Sequence, residues 1–307
     1  MTEPTPKSGR VLVTGLTGLI GGRVAAYADD FELASLSVED GVDIREAKSI
    51  RAVADDGPPA VGLIHLAAFT DVSAAHQQSG DRDGDCYTIN VVGTERIAEY
   101  CAERQLPWVY LSTDFVFAGD RDAPYEESDP PSPIEWYGET KSMAEDAARA
   151  AGGTVVRIGF PYSPQPAPKP DLVQWIRTSL ADGKELTLFD DQVICPTFAD
   201  DIARGLIDLV REPARGATFH LSSCDATTPY GLAQSVAAAF DLDAALISPG
   251  SLEEYLRKDP RPRQRCLRLS NTEWRARCAE RGLAAPLSVA DGLAELRKHE
   301  SAGERTA

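Results

Sequence analysis

The stretch VLVTGLTGLIG, residues 11–21, decides the fold of this chain. Apolar residues of a short strand come first, and glycines follow at positions 15, 18 and 21, where a helical pattern begins. Gly15 permits a tight turn, Gly18 allows the backbone to approach a diphosphate, and Gly21 lets the helix pack closely on the sheet. The N-terminus of that helix offers N–H groups and partial positive charge. The stretch therefore predicts a strand, a phosphate-binding turn and a helix.

Around this turn, short apolar runs alternate with amphipathic stretches of helical length. Near-continuous apolar strands separated by helices are typical of a parallel sheet covered on both faces. We therefore predict an α/β fold, a doubly wound parallel sheet of the Rossmann type. The predicted strands are 11–13, 33–36, 62–65, 108–111 and 154–158, and the predicted helices are 19–28, 46–55, 85–104 and 136–151.

After residue 158 the pattern changes, because five prolines between 161 and 170 interrupt the chain and predict a loop. Thr197 to Asp200 resembles a capping box that opens a helix. We predict a Rossmann domain of residues 1–160 plus 197–222 and a smaller α+β substrate-binding lid of residues 161–196 plus 223–307. The further predicted elements are helices 172–180, 200–210, 230–240 and 289–298 and strands 185–189 and 217–221, the last of which returns to the main sheet.

Composition excludes several classes of protein. The 307 residues include 31 Lys+Arg and 48 Asp+Glu, a formal net charge of −17, and 43% hydrophobic residues. Nucleic-acid binding and attachment to an anionic membrane both need a basic face, so neither is expected. Residues 1–10 are polar and lack the apolar core of a signal peptide, which predicts a cytoplasmic protein. The six cysteines and four histidines show no metal-ligand spacing, so we expect reduced thiols and no metal.

The second strand should meet the adenosine half of a dinucleotide. It ends at Ser37 rather than at the carboxylate that binds a ribose 2′-hydroxyl. This favours a 2′-phosphate and hence NADPH, with Arg23 as a possible partner, although Glu39 could reverse the preference toward NADH. Asp43, with Ile44, either meets the adenine or caps the second helix.

A hydroxyl, a phenol and an amine form the candidate catalytic set. Thr113 ends the fourth strand, where ligands of open α/β sheets bind. Tyr137 and Lys141 are four residues apart and so share one face of a helix. Carbonyl reduction by a nicotinamide needs a proton for the developing oxyanion, and a phenol can donate it once nearby positive charge lowers its pKa. Lys141 would supply that charge, and Thr113 would orient the substrate oxygen.

Several segments together resemble an extended short-chain dehydrogenase/reductase: the Gly-rich turn, HLAA at 65–68, NVVGT at 90–94, and Tyr137 with Lys141. More narrowly, LSTDFVFAG at 111–119 and PYEESD at 124–129 are similar to the dTDP-4-dehydrorhamnose reductase branch. The resemblance implies NAD(P)H-dependent reduction of a 4-keto group on a nucleotide-linked deoxysugar, most specifically dTDP-4-dehydro-L-rhamnose, and is compatible with a homodimer. It implies that Tyr137 is the acid, Lys141 its partner and Thr113 the orienting hydroxyl.

The predicted binding residues follow from the turn and from this resemblance. Besides Tyr137 and Lys141, the cofactor residues are Gly15, Thr17, Gly18, Leu19, Ile20, Gly21, Ser37, Asp43, Ile44, Leu66, Ala67 and Ala68. The predicted substrate residues are Thr70, Asp114, Phe115, Phe160 and Arg261.

Some residues depart from the family pattern or allow two interpretations. Phe115 and Phe160 stand where the family usually has Tyr and Trp, so they can stack on a sugar but cannot hydrogen-bond to it. His65 is expected to be a satisfied core histidine rather than a base. Arginines between 257 and 268 either clamp a diphosphate or form a solvated loop paired to local acids.

Two other functions remain open. An epimerase or a reductase of another keto-sugar would use the same three residues, and a retained NAD after purification would favour epimerisation. A nucleotide-binding regulatory subunit would need no turnover at all. Elimination, as in sugar-nucleotide 4,6-dehydratases, is not expected, because Phe115 occupies the position of their Glu base.

The acidic excess predicts either adaptation to high salt or an ordinary acidic enzyme. Thermal unfolding in low and in molar KCl distinguishes the two. Salt screens the repulsion among surface carboxylates, so a salt-adapted protein should show a Tm that rises with KCl. A Tm that stays flat excludes the salt hypothesis.

Overall fold

The centre of the molecule is a parallel sheet of six strands with helices on both faces, seen in a computed structural model that describes residues 8–165, 169–259 and 261–303. Its elements up to the fifth strand are β1 (Arg10–Thr14), α1 (Leu19–Tyr27), β2 (Glu32–Leu36), α2 (Ala47–Ala54), β3 (Ala60–His65), α3 (Val72–Gln77), α4 (Asp85–Tyr87), α5 (Thr94–Glu103), β4 (Trp108–Thr113), α6 (Trp136–Ala150) and β5 (Thr154–Ile158). The later elements are β6 (Pro161–Tyr162), α7 (Leu172–Ala181), β7 (Leu186–Phe189), β8 (Thr197–Phe198), α8 (Ala199–Arg211), β9 (Thr218–His220), α9 (Pro229–Ala239), β10 (Ile247–Gly250), α10 (Leu252–Leu256), α11 (Thr272–Arg281) and α12 (Val289–Gly303).

The strand order confirms the predicted doubly wound sheet. The strands run β2-β1-β3-β4-β5-β9, and every neighbouring pair is parallel. The chain moves outward from β1 to β2 and then returns to β3 on the other side of β1. A ligand crevice forms at such a switch point, at the carboxyl ends of the strands. The strand predicted at 217–221 does return to this sheet, as β9 beside β5.

Two apolar layers enclose the sheet. On one face α1 and α8 pack against it through side chains such as Val24 and Leu206. On the other face α5 and α6 do so through Ile97 and Ala144. Strands β1 and β5 are buried along their whole length, which explains why apolar residues follow one another without alternation at 11–13 and 155–156.

A second core lies among the elements predicted to form the lid. Helices α7, α9 and α12 contribute Ile176, Leu232 and Leu293 to it, and the parallel pair β7–β10 lies beside them. The two-domain division stays a prediction. One element assigned to the lid packs differently, because α11 places Trp274 and Cys278 in the core of the main sheet.

Two local predictions were wrong. The helix expected at 85–104 is interrupted by a π-helical segment, Thr88–Gly93, between α4 and α5. The capping box at Thr197 does not form: α8 begins at Ala199 after Phe198, with no side-chain cap. The hydroxyl of Thr197 instead donates to Cys195 O at 3.1 Å and accepts from Ser223 N at 3.3 Å.

Other features were missed or lie beyond what the structure describes. The sequence patterns gave no sign of α3, α10 or α11. Pro166 and Pro168 of the predicted loop lie outside the described residues.

Five of the six free cysteines are buried, as expected, and Cys224 is exposed. Within residues 8–165, 169–259 and 261–303, no group of His, Cys, Asp or Glu side chains could hold a metal ion. None of the helices in the described part has the length and hydropathy needed to cross a bilayer.

A buried ion pair fastens α6 to the sheet. The carboxylate of Glu145 accepts from Arg157 Nε at 2.9 Å and from Nη2 at 2.8 Å, and Ser112 Oγ donates to it at 2.6 Å. Arg157 Nη1 lies 3.2 Å from His220 Nε2, and His220 Nδ1 lies 3.0 Å from the carbonyl oxygen of Ser270. Because a carbonyl oxygen only accepts, Nδ1 carries the proton and Nε2 accepts from the guanidinium. The chain of polar contacts joins α6, β4, β5 and β9.

Removing one member of this pair should destabilise the protein strongly. We expect Arg157→Met to lower the free energy of unfolding by about 3–5 kcal/mol, because the buried charge of Glu145 would lose both bonds that the buried guanidinium of Arg157 donates. Arg149→Met is the matched control, since Arg149 also bonds Glu145, at 3.0 Å, but is partly exposed. Its loss should be about 1 kcal/mol or less. Urea unfolding measures both, and equal losses would contradict the assignment.

Candidate active site

The Gly-rich turn has the geometry of an anion-binding site. Gly15 has a positive φ of 67°, and Gly18 N donates to Gly15 O at 3.1 Å, which closes the turn. An added Cβ on Gly21 would lie 2.3 Å from Gly15 O and 2.5 Å from Leu16 O. No side chain caps α1, whose N-terminus therefore keeps donors for a ligand.

The other predicted residues of the turn differ in exposure. Thr17 is exposed and Leu19 is half-buried, so both side chains can reach a ligand. The side chain of Ile20 is buried in the core, which leaves only its backbone for that purpose.

His65 connects this turn to the segment after β3. Thr14 Oγ1 accepts N–H bonds from Leu66 and Ala67, both at 3.0 Å, and lies 2.7 Å from His65 Nδ1. Because Thr14 Oγ1 already accepts two bonds, its hydroxyl proton is donated to His65 Nδ1. The ring proton of His65 is therefore on Nε2, which donates to Thr94 Oγ1 at 3.1 Å. Burial lowers the pKa of His65 to about 3. The expectation of a satisfied, neutral core histidine is confirmed.

The segment 66–70 runs along the crevice from this point. Leu66, Ala67 and Ala68 are half-buried, and Thr70 is exposed. An added Cβ on Gly15 would lie 2.9 Å from Ala67 N, so the turn and this segment are in close contact. The structure thus brings the predicted residues of both segments together.

The adenosine end differs from expectation at Arg23. Its guanidinium is buried against Asp200, to which Nη2 donates at 2.9 Å, so it is not available to a 2′-phosphate. Ser37 Oγ donates instead to the carboxylate of the exposed residue Asp40 at 2.5 Å. Of the two acidic residues just beyond the end of β2, Glu39 and Asp40, it is therefore Asp40 that lies beside Ser37.

Asp43 does not cap the second helix. Its carboxylate pairs with Arg45, whose Nη2 donates to Oδ2 at 2.7 Å, and α2 begins at Ala47 without a side-chain cap. Arg45 holds the pKa of the Asp43 carboxyl below its usual value. Ile44 is buried and would lie against any side chain at Gly93. A contact of Asp43 and Ile44 with the adenine stays a prediction.

Thr113 and Tyr137 come together at the carboxyl end of β4. Thr113 is the last residue of that strand, Tyr137 lies in the first turn of α6, and the side chain of Thr113 lies beside the phenol. Phe115 packs edge-on against the phenol ring with centroids 5.8 Å apart. The predicted catalytic hydroxyl and phenol thus share one end of the sheet.

The pKa of Tyr137 is raised, not lowered as we expected. Burial of the phenol disfavours its charged form and so raises its pKa. Lys141 donates from Nζ to Leu111 O at 2.8 Å and stands 4.2 Å from the centre of the Tyr110 ring. Burial lowers the pKa of Lys141 to about 7, against the opposing charge of Glu145.

Two phenylalanines line the crevice beside this pair. Phe115 and Phe160 lie with ring centroids 6.2 Å apart. Phe160 has a φ of 42°, a left-handed conformation that is costly for an aromatic residue and that gathers at functional sites. Asp114, by contrast, is buried, with 1% of its surface exposed.

Among the candidate arginines, only Arg261 faces the site. It bonds Ser73 Oγ at the start of α3. Burial raises the pKa of Glu135, two residues before Tyr137, and the charge of Arg261 opposes that rise. Arg257 and Arg265 pair with the exposed acids Glu253 and Asp122. Arg263 stacks on the Tyr255 ring, and Arg268 is exposed. The solvated interpretation therefore holds for Arg257 and Arg265, and a clamp could involve Arg261.

Three polar residues outside the predicted set also shape the site. Glu135 caps α6 by accepting from Gly138 N at 2.6 Å and from Tyr137 N at 2.9 Å. Asn90 accepts from Phe69 N at 2.8 Å and donates to Thr140 Oγ1 at 3.0 Å, which ties the segment after β3 to α6. Glu145 fastens the same helix through Arg157. Glu145 lies one helical turn after Lys141 and two turns after Tyr137, and this spacing was the signal in the sequence that could have identified it.

Comparison with known proteins agrees with this geometry. The sequence profile of a family described as the RmlD substrate binding domain matches residues 9–285. A probable low-salt glycan biosynthesis reductase, Agl14, of Haloferax volcanii is 32% identical over 74% of this chain and 75% of its own length. A dTDP-4-dehydrorhamnose reductase of Mycobacterium tuberculosis is 28% identical over 87% of each chain. The crystal structure of dTDP-4-dehydrorhamnose reductase from Bacillus anthracis in complex with NADP has the same fold, with a TM-score of 0.83, 23% identity, and coverage of 94% of this chain and 98% of that chain.

Two neighbouring glycines provide a test of the turn. We expect Gly21→Ala to lower the free energy of unfolding by about 1–3 kcal/mol, because its Cβ would meet backbone oxygens that cannot move aside. At Gly22 an added Cβ would meet only Gln165 Oε1, at 2.8 Å, the end of a flexible side chain. Gly22→Ala should leave stability unchanged or raise it by up to about 1 kcal/mol through helix propensity. Urea unfolding compares the two, and similar stabilities would refute the close packing of the turn.

Proposed function

Since the chain belongs to the RmlD substrate binding domain family, we propose that it is an enzyme that reduces the 4-keto group of a nucleotide-linked deoxysugar with NADPH or NADH. The observation that carries the proposal is the placement of Thr113 beside the phenol of Tyr137 at the carboxyl end of β4. The names of relatives such as the reductase of Mycobacterium tuberculosis support the reaction class.

The residues present fit a dinucleotide. A side chain at Gly15 or Gly21 would collide with backbone atoms, so glycine keeps the turn tight, and the uncapped N-terminus of α1 can receive a diphosphate. Ser37 and Asp40 lie where a ribose would be held, and Leu66 to Ala68 flank the crevice. The bound cofactor supplies a hydride to the carbonyl carbon.

Tyr137 holds the proton that the reaction needs. Its raised pKa keeps the phenol protonated over the whole working pH range, so the hydrogen is in place when negative charge develops on the substrate oxygen. Thr113 can donate a second hydrogen bond to the same oxygen and fix its position. Lys141 is fixed on Leu111 O one turn along α6, and its proposed role is to hold a ribose hydroxyl and to stabilise the tyrosinate after transfer.

For the substrate we propose dTDP-4-dehydro-L-rhamnose, converted to dTDP-L-rhamnose. Phe115 and Phe160 offer two aromatic faces for the sugar, and the exposed hydroxyl of Thr70 is proposed as a further donor to the substrate. Arg261 is placed to bind the diphosphate, because its planar guanidinium suits bidentate contact with phosphate oxygens.

Tyr137→Phe tests the proposal. With dTDP-4-dehydro-L-rhamnose and NADPH, we expect wild-type protein to oxidise the cofactor and the variant to lose about 10²–10⁴-fold in kcat, because the general acid is gone. Binding of NADPH, followed by its fluorescence, should persist. Tyr230→Phe on α9 is the matched control, since that exposed hydroxyl contacts only Gln234 among the described residues, and it should behave as wild type.

Each negative outcome of these activity measurements would indicate a different function. A wild-type protein that binds NADPH but oxidises none of it with any keto-sugar would contradict the reductase and favour a regulatory subunit. Unchanged turnover in Tyr137→Phe would contradict the role of Tyr137 as the proton donor. Purified protein that retains NAD tightly and interconverts nucleotide sugars without net oxidation would indicate an epimerase.

A further inference from the structure

Asp114 is a buried carboxyl beside the catalytic pair that the proposed reaction does not use directly. Its Oδ1 lies 3.1 Å from Thr113 Oγ1, and its buried Oδ2 has no hydrogen-bond partner in the described part of the chain. An added Cβ on Gly159 would lie only 2.7 Å from Oδ2, so the carboxyl packs against the backbone just before Phe160. Asp114 thus sits beneath the crevice, in contact with the hydroxyl that orients the substrate.

The hydroxyl of Thr113 has one proton and several neighbours. It accepts from Phe115 N at 3.3 Å, and it lies against both Asp114 and the phenol of Tyr137. An ionised carboxylate can only accept, so it would take the proton of Thr113. A protonated carboxyl can donate to Thr113 Oγ1 instead, which leaves the proton of Thr113 for another acceptor.

We propose that Asp114 acts as a protonated acid that donates to Thr113 and thereby directs the proton of Thr113 to the substrate oxygen. Loss of the Asp114 proton to solvent would reverse the hydrogen bond and withdraw that donor from the substrate. Asp114 is then a positioning residue that acts through Thr113, rather than the substrate contact that we first considered. The inference rests on the proposed reductase function.

The surroundings of Asp114 favour the neutral form. The titratable groups facing it are Tyr137 on α6 and Cys195 before β8, and burial keeps both uncharged by raising their pKa values. Within the described residues no cation forms an ion pair with Asp114, and burial raises the pKa of its carboxyl to about 7. The donor from Thr113 is therefore present below about pH 7 and lost as the pH rises through that value.

The pH dependence of Asp114→Asn relative to wild type tests the proposal. The amide nitrogen of Asn can donate to Thr113 Oγ1 at every pH, so the variant never withdraws the donor. Lys141 titrates in the same range, but it does so in both proteins, and its contribution cancels in the ratio of their kcat/KM values. Above about pH 7 we expect the ratio of variant to wild type to rise, approaching tenfold per pH unit.

Asp146→Asn is the matched control. Asp146 lies on α6 with most of its side chain exposed, so its ratio to wild type should stay flat with pH. A flat ratio for Asp114→Asn as well would overturn the proposal, because a purely structural Asp114 changes activity equally at all pH values.

A ¹³C-NMR titration of the Asp114 carboxyl in the free wild-type protein needs neither turnover nor a folded variant. A midpoint near pH 7 supports the proposal, and a midpoint near the ordinary value of about 4 would overturn it. The two measurements also separate the inference from the reductase function. Absence of all turnover contradicts the reductase, whereas an ordinary titration in an active enzyme contradicts only the role of Asp114.

Discussion

The close approach of α6 to the turn after β4 is the contact on which the rest of the site depends. An added Cβ on Gly138 would lie 2.2 Å from the carbonyl oxygen of Phe115, so only glycine lets the helix begin at this place. Glu135 fixes the same helical turn by accepting the N–H groups of Tyr137 and Gly138. The phenol thereby reaches the hydroxyl of Thr113. A side chain at position 138 would push the helix outward and separate the two groups.

One face of α6 carries both the chemistry and the attachment of the helix. Tyr137, Lys141 and Glu145 follow one another at intervals of four residues, so they lie on one line along the helix. The first faces the crevice, the second bonds the backbone of β4 at Leu111, and the third forms the buried ion pair with Arg157. The position of the catalytic groups therefore depends on a buried charge pair two turns deeper, and damage to the pair should misplace the acid as well as lower stability.

The sequence predicted features that depend on local pattern and missed those that depend on distant partners. Three features could be predicted from the sequence: the Gly-rich turn, the strands of the main sheet, and the spacing of Tyr137 and Lys141. Each depends on a local property, namely glycine conformation, an apolar run or helical periodicity. Arg23 was offered as a partner of a 2′-phosphate, but Asp200 follows 177 residues later and holds it in a buried ion pair. Thr197 likewise fits a capping pattern locally, yet tertiary contacts use its hydroxyl elsewhere. The direction of the Tyr137 pKa shift depends on burial, which a motif does not contain.

A crystal structure of the protein with NADPH and a nucleotide-linked sugar bound tests the assembled site most directly. It should place the cofactor diphosphate at the N-terminus of α1 and one sugar oxygen within hydrogen-bonding distance of both Thr113 Oγ1 and Tyr137 Oη. A phenol that faces away from the nucleotide, or a crevice filled by the protein's own side chains, would contradict proton transfer by Tyr137.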